Sequence, residues 1–109
     1  VDETYLEAVL DVVDAIPAGR AMTYGTIAEV VADRFAAAGL PARGGPRQVG
    51  HVLSRGGSGV PWWRVVNAGG APPAHHARAA LEHLRAEGTP LSADGTRVVL
   101  RRAIWFPDD

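Results

Sequence analysis

The residues of this 109-residue chain that could do chemistry are few and unevenly placed. There is no cysteine, which removes thiol nucleophiles, thiolate metal sites and disulfides together. Ser54 and Ser58 lack the G-x-S-x-G setting that exposes and activates a serine. The remaining bases are His51, His75, His76 and His83. No Asp or Glu lies between Arg34 and Leu81 to share an ion with them, and adjacent His75 and His76 do not readily face one ion, so no metal or other cofactor is expected. That same acid-free stretch holds six arginines, Arg34, Arg43, Arg47, Arg55, Arg64 and Arg78, so it carries +6 inside a chain of net charge −1. Local charge decides phosphate binding better than net charge does, which makes a nucleic acid the natural partner. The plainer alternative is a solvated basic face.

A second unusual run is Pro61-Trp62-Trp63-Arg64-Val65-Val66, set between the glycine loop 56–59 and the loop 67–73. Indole is no useful nucleophile, but its face stacks on nucleobases. Two adjacent tryptophans on their own are more often core residues.

The elements that must position these groups are helical. Tyr5, Leu6, Val9, Val12, Val13 and Ile16 recur at three- and four-residue spacing and predict a helix over 3–16, stopped by Pro17-Ala18-Gly19. A short extended piece, 21–23, precedes a second helix over 26–38 with Ile27, Ala28, Val31 and Phe35 inward. Pro46 is well placed in the first turn of a third helix over 47–54, whose Arg47, His51 and Arg55 share one face. A fourth helix is expected over 74–86, and Asp94-Gly95 signals a tight turn in a small C-terminal hairpin or wing. The fold expected is mainly α: one winged helix-turn-helix domain over 1–109 with a small β or irregular wing. No apolar run is long enough to span a membrane, and the opening Val1-Asp2-Glu3 is acidic, so a cytoplasmic location is expected.

Four motifs occur in fixed order: Thr23-Tyr24-Gly25, Arg47-Gln48-Val49-Gly50, Pro61-Trp62-Trp63-Arg64-Val65-Val66, and Glu87-Gly88 after the fourth helix. This order resembles the C-terminal domain of the O6-alkylguanine-DNA alkyltransferases, and still more their cysteine-free relatives, the alkyltransferase-like proteins. The resemblance covers roughly residues 4–88. It implies that Trp62 stands where the enzymes carry the alkyl-accepting cysteine. It further implies that Tyr24 crowds the 3′ phosphate and helps rotate a nucleotide outward, and that Arg47 fills the vacated stack. Gln48, His51 and Arg55 would contact DNA beside it. Trp62, Tyr24, Arg64 and Val65 would form the lesion pocket, Val65 through its backbone carbonyl. Glu87 matches the glutamate that supports the enzymes' histidine. That histidine is Trp63 here, expected to serve packing, and Glu87 is then structural. The enzymes' tyrosine-serine pocket loop has no clear counterpart in 71–75.

What the resemblance implies is a non-enzymatic monomer that flips O6-alkylguanine out of duplex DNA and passes it to nucleotide excision repair. A winged-helix regulator reading a DNA sequence is the alternative, although that reading gives the Pro61–Val66 run no purpose. Repair by transfer to a thiolate is excluded without cysteine, and no acid accompanies the motif to support base excision.

Overall fold

The structure, a computed structural model, describes residues 2–107. Val1 of the acidic opening and the last two residues of the expected 1–109 domain lie outside the described residues. Helix α1 (Glu3–Ala15) starts where Asp2 caps it, its carboxylate accepting from Tyr5 N–H at 2.8 Å. Its apolar stripe is buried as expected: Tyr5, Val9, Val12 and Val13 pack inward with Ile16 just beyond. Strand β1 (Met22–Thr23) follows, and Thr23 then caps helix α2 (Tyr24–Ala37) by accepting from Thr26 N–H at 3.0 Å. The cap moves the start of this helix two residues ahead of the expected Thr26, so Tyr24 is its first residue rather than part of the approach to it.

Helix α3 (Pro46–Gly56) opens with Pro46, whose missing N–H costs nothing in a first turn. The Gln48 side chain reaches back to accept from Gly45 N–H at 2.9 Å. The helix continues past the expected Ser54 to Gly56, and the N–H of Gly57 still donates to Leu53. Helices α2 and α3 form the helix-turn-helix, and α1 packs against both. Strand β2 (Val65–Val66) pairs in parallel with β1, Met22 opposite Val65, and Ile104 bridges Ala21 on the other side. The main core joins the three helices to this sheet through Met22, Ile27, Val31, Val49, Val52 and Val65.

The fourth helix differs at its start. A 3₁₀ turn over Ala74–His76 comes first, and helix α4 (Ala77–Ala86) follows. The expected C-terminal hairpin shrinks to one antiparallel bridge, Leu91 to Val98. Val98 N–H is drawn instead to Gly70 O at 2.9 Å and Val99 N–H to Pro90 O, after which the chain turns into the short helix α5 (Leu100–Ala103). The wing is therefore irregular, closed over a small core of Ala21, Val66, Leu84, Val98 and Ala103.

Gly70 is what lets the 67–73 loop meet this wing. Its φ is +89°, and a Cβ there would sit 2.2 Å from the carbonyl oxygen of Val98. Gly70→Ala is expected to destabilise the fold by about 2–5 kcal/mol, from left-handed backbone strain plus a clash against main chain that cannot rotate away. A lowered midpoint in urea with an unchanged slope checks this.

Candidate nucleic-acid interface

The N-terminus of α2, helix α3 and the turns at Gly57–Gly59, Trp62–Arg64 and Ala74–His76 surround a cavity of about 560 Å³. That lies within the ~300–1,000 Å³ usual for small-molecule sites. Its lining is mostly apolar, with Tyr24 and Gly50 contributed by α2 and α3, Trp62 by its own turn, and Arg55, His75 and His76 among the polar groups. The Tyr24 ring packs beside Gly50 of α3, where a Cβ would lie in ordinary contact at 3.8 Å. Burial pushes the Tyr24 phenol further above its ordinary value of 10.0, so its hydroxyl is protonated and able to donate at neutral pH, as an unshifted phenol would be.

Trp62 is held in an aromatic cluster. Its ring meets Trp63 edge-on at 5.8 Å, His76 at 5.8 Å and His83 at 6.1 Å. Trp63 stacks flat on His83 of α4, 3.9 Å away and 11° from parallel, and its indole N–H donates to Glu87 at 2.9 Å. Arg64 closes the far side, pairing with Glu87 through Nη2 at 2.6 Å and Nε at 3.0 Å and donating to the Ile16 carbonyl through Nη1 at 2.6 Å. Trp63 therefore does more than fill space, and Glu87 takes its bonds from an indole and a guanidinium.

Burial alone would raise the Glu87 carboxyl, but the hydrogen bonds from Arg64 and Trp63, with the Arg64 charge, outweigh it and hold the pKa below the usual 4.5. With the folded value depressed, this stabilisation is present above about pH 4.5 and is lost as pH falls through the folded pKa. The Tm of the native protein is expected to fall between pH 5 and 3, and Glu87→Gln to flatten that part of the curve. At neutral pH the variant is expected to be about 1–3 kcal/mol less stable, because Arg64 keeps its charge without the carboxylate.

Not every expected site residue reaches the cavity. Tyr24, Trp62 and Arg55 line it. Arg47, Gln48 and His51 do not: they are exposed on α3, with Gln48 also spent on the helix cap. Arg64 is drawn away from the cavity to Glu87 because that carboxylate offers it a bidentate partner. Val65, expected to border the pocket through its carbonyl, is not among the lining residues, and its side chain is fully buried in the core opposite Met22. The basic stretch is also less positive than its sequence, since Arg43 pairs with Asp2 at 2.5 Å and Arg64 with Glu87. Among the described residues no ion pair forms at Arg47, Arg55 or Arg78. Sequence reasoning missed His75, His76, Ser54 and Ser58 as lining residues. Residue type offers these histidines only as metal candidates, although Pro72-Pro73 before them marks a chain reversal that aims the next turn back at α3.

A helix-turn-helix with an exposed arginine-bearing second helix and an aromatic cavity behind it defines a small DNA-binding domain. Residues 4–89 match the family model of the 6-O-methylguanine DNA methyltransferase DNA binding domain, and the chain belongs to that family as an alkyltransferase-like protein. It is 36% identical over 111 residues to a DNA base-flipping protein of Escherichia coli, covering 95% of this chain and 76% of that one. A DNA base-flipping protein of Vibrio parahaemolyticus is 33% identical over 109 residues, covering 96% and 99%. Among solved structures, S. pombe Atl1 in complex with damaged DNA containing O6-carboxymethylguanine superposes with a TM-score of 0.74 at 28% identity, covering 98% of this chain and 99% of that one.

Proposed function

We propose that this protein binds duplex DNA carrying O6-alkylated guanine, turns the damaged nucleotide into the Tyr24–Trp62 cavity, and holds it there unaltered. The observation that carries the reading is the cavity itself: about 560 Å³, walled by Tyr24 and Trp62, and open beside the exposed face of α3. A modified base inside a duplex must be extruded before such a cavity can inspect it, at a cost of a few kcal/mol. Stacking on Trp62 returns about 1–3 kcal/mol of that. Tyr24 presses on the 3′ phosphate, and Arg47 enters the gap, where its planar cation stacks and bonds to the orphaned partner base. Gln48, His51 and Arg55 contact the backbone beside it.

No alkyl group is transferred in this reading. The chain has no thiol, and the carboxylate that would support a base is held by Trp63 and Arg64. The protein acts as a monomer and a single domain on DNA, and the lesion it holds is handed to nucleotide excision repair. The names of the bacterial relatives and the damaged-DNA complex of Atl1 support the lesion-binding part.

The test is a titration of an O6-methylguanine duplex against its unmodified twin, followed by tryptophan fluorescence. Preferential quenching and tighter binding by the lesion duplex are expected, with intact O6-methylguanine recovered afterwards. Equal affinity for the two duplexes would abandon the reading, and a preference for one DNA sequence whether damaged or not would favour a transcriptional regulator.

A further inference from the structure

A smaller cavity, of about 190 Å³, opens where the start of α1 meets the loop before α3, lined by Asp2, Tyr5, Arg43, Gly44 and Gln48. Holding a lesion makes no use of it. Tyr5 is 4% exposed, yet its hydroxyl has no hydrogen-bond partner among the described residues. That hydroxyl ends against Gly44 in the cavity wall: a Cβ on Gly44, whose φ is +85°, would lie 2.2 Å from it. An orphaned buried donor costs stability, which points to an acceptor that arrives from outside the chain. Arg43 stands beside it. Its guanidinium lies 5.9 Å from the Tyr5 ring and 5.5 Å from the Phe35 ring, and its Nη2 meets one oxygen of Asp2 at 2.5 Å. The other oxygen of Asp2 caps α1. A carboxylate oxygen is therefore already accepted here, and it uses only part of a guanidinium that carries five N–H donors. Gly44 and Gln48 set the cavity at the N-terminus of α3. There Gly45 holds the cap position with no side chain to satisfy the first-turn N–H groups, and no acid stands in that turn.

A buried hydroxyl donor, a cation and a positive helix end around one small cavity suit an oxyanion. We propose that this cavity takes a phosphodiester of the bound duplex, with Arg43 and Tyr5 as its donors. Position favours the DNA backbone over free phosphate. Gln48 in the cavity wall follows Arg47 directly in the chain, so the cavity lies at the edge of the surface that meets DNA. The phosphate oxygen displaces Asp2 from Nη2 of Arg43, while Asp2 keeps its cap through the other oxygen. Asp2 is thus a placeholder that neutralises Arg43 until DNA arrives. The inference rests on the DNA-binding part of the reading above and not on the lesion, since a backbone contact positions the duplex whatever its bases.

The experiment titrates a plain duplex and its O6-methylguanine twin, over a series of salt concentrations, against the native protein, R43Q and Y5F, with a Tm for each protein. R43Q is expected to bind the plain duplex about tenfold more weakly, as for one charge-assisted hydrogen bond. Its slope of log affinity against log salt should be shallower by about 0.9, the worth of one phosphate. Y5F is expected to bind about fivefold more weakly with Tm unchanged or raised, because the ring keeps its edge contact with Phe35 and only the orphaned hydroxyl is gone. A hydroxyl that served the fold alone would lower Tm on removal and leave affinity as it was. In both variants the ratio of lesion to plain affinity should stay within about twofold of the native ratio, because the contact is to backbone. Unchanged duplex affinity in both variants would overturn the inference and leave DNA binding standing, whereas a native protein that binds neither duplex would bring down the DNA-binding reading itself. A loss in R43Q alone would remove Tyr5 from the site. A native Tm raised by inorganic phosphate over chloride at equal ionic strength, with duplex affinity unchanged in both variants, would give the cavity to free phosphate instead of DNA.

Discussion

Arg47→Ala is expected to weaken binding to an O6-methylguanine duplex by about 30- to 100-fold. Two terms are lost together: stacking of the guanidinium in the emptied position, about 1–3 kcal/mol, and hydrogen bonds to the widowed base, which are stronger for a charged donor. The structure leaves Arg47 well placed to spend its side chain this way. It is exposed on α3, and among the described residues it forms no ion pair, in contrast to Arg43 and Arg64. Removing it should therefore leave the fold intact, with Tm unchanged within about 1 °C, as for a surface substitution. Binding of undamaged duplex should weaken far less, by the worth of one phosphate contact, and its salt dependence should become shallower by about one unit of slope. An equal loss on damaged and undamaged DNA would place Arg47 on the backbone alone.

The second large effect is expected at Trp62. Trp62→Ala removes the stacking wall, and the ratio of lesion to plain affinity should drop by about 10- to 100-fold. The fold should bear the change, because Trp62 is only partly buried and the Trp63–Glu87–Arg64 network does not pass through its polar atom. Trp62→Cys makes a sharper version of the experiment. It restores a thiol at the cavity, yet the adjacent residue is still an indole and Glu87 is still engaged by it and by Arg64, so the enzymes' cysteine-histidine-glutamate arrangement is not rebuilt. No transfer of label from O6-methylguanine DNA to the variant is expected at neutral pH.

Much of this architecture is written locally. The apolar spacing of α1 and Pro46 at the start of α3 each settle an element with its neighbours' help. The cavity was only half legible. Tyr24 and Trp62 are named by the motif order, but His75 and His76 reach the cavity because the Pro72-Pro73 turn folds them back, a tertiary effect that residue type does not announce. Arg64 went the other way. The resemblance puts it in the pocket, while Glu87, 23 residues on, captures it. Of the two forms expected for the wing, hairpin or irregular, tertiary contacts decide for the irregular one: Val98 looks like strand, but its N–H finds Gly70 across the chain.

The cavity wall at Trp62 is carbon and indole nitrogen, with no thiol to accept an alkyl group. On the proposed reading, a molecule that lets go of its lesion is identical to one that never met it. Cellular capacity would then be set by how long each copy stays occupied, and one copy could mark many sites in succession.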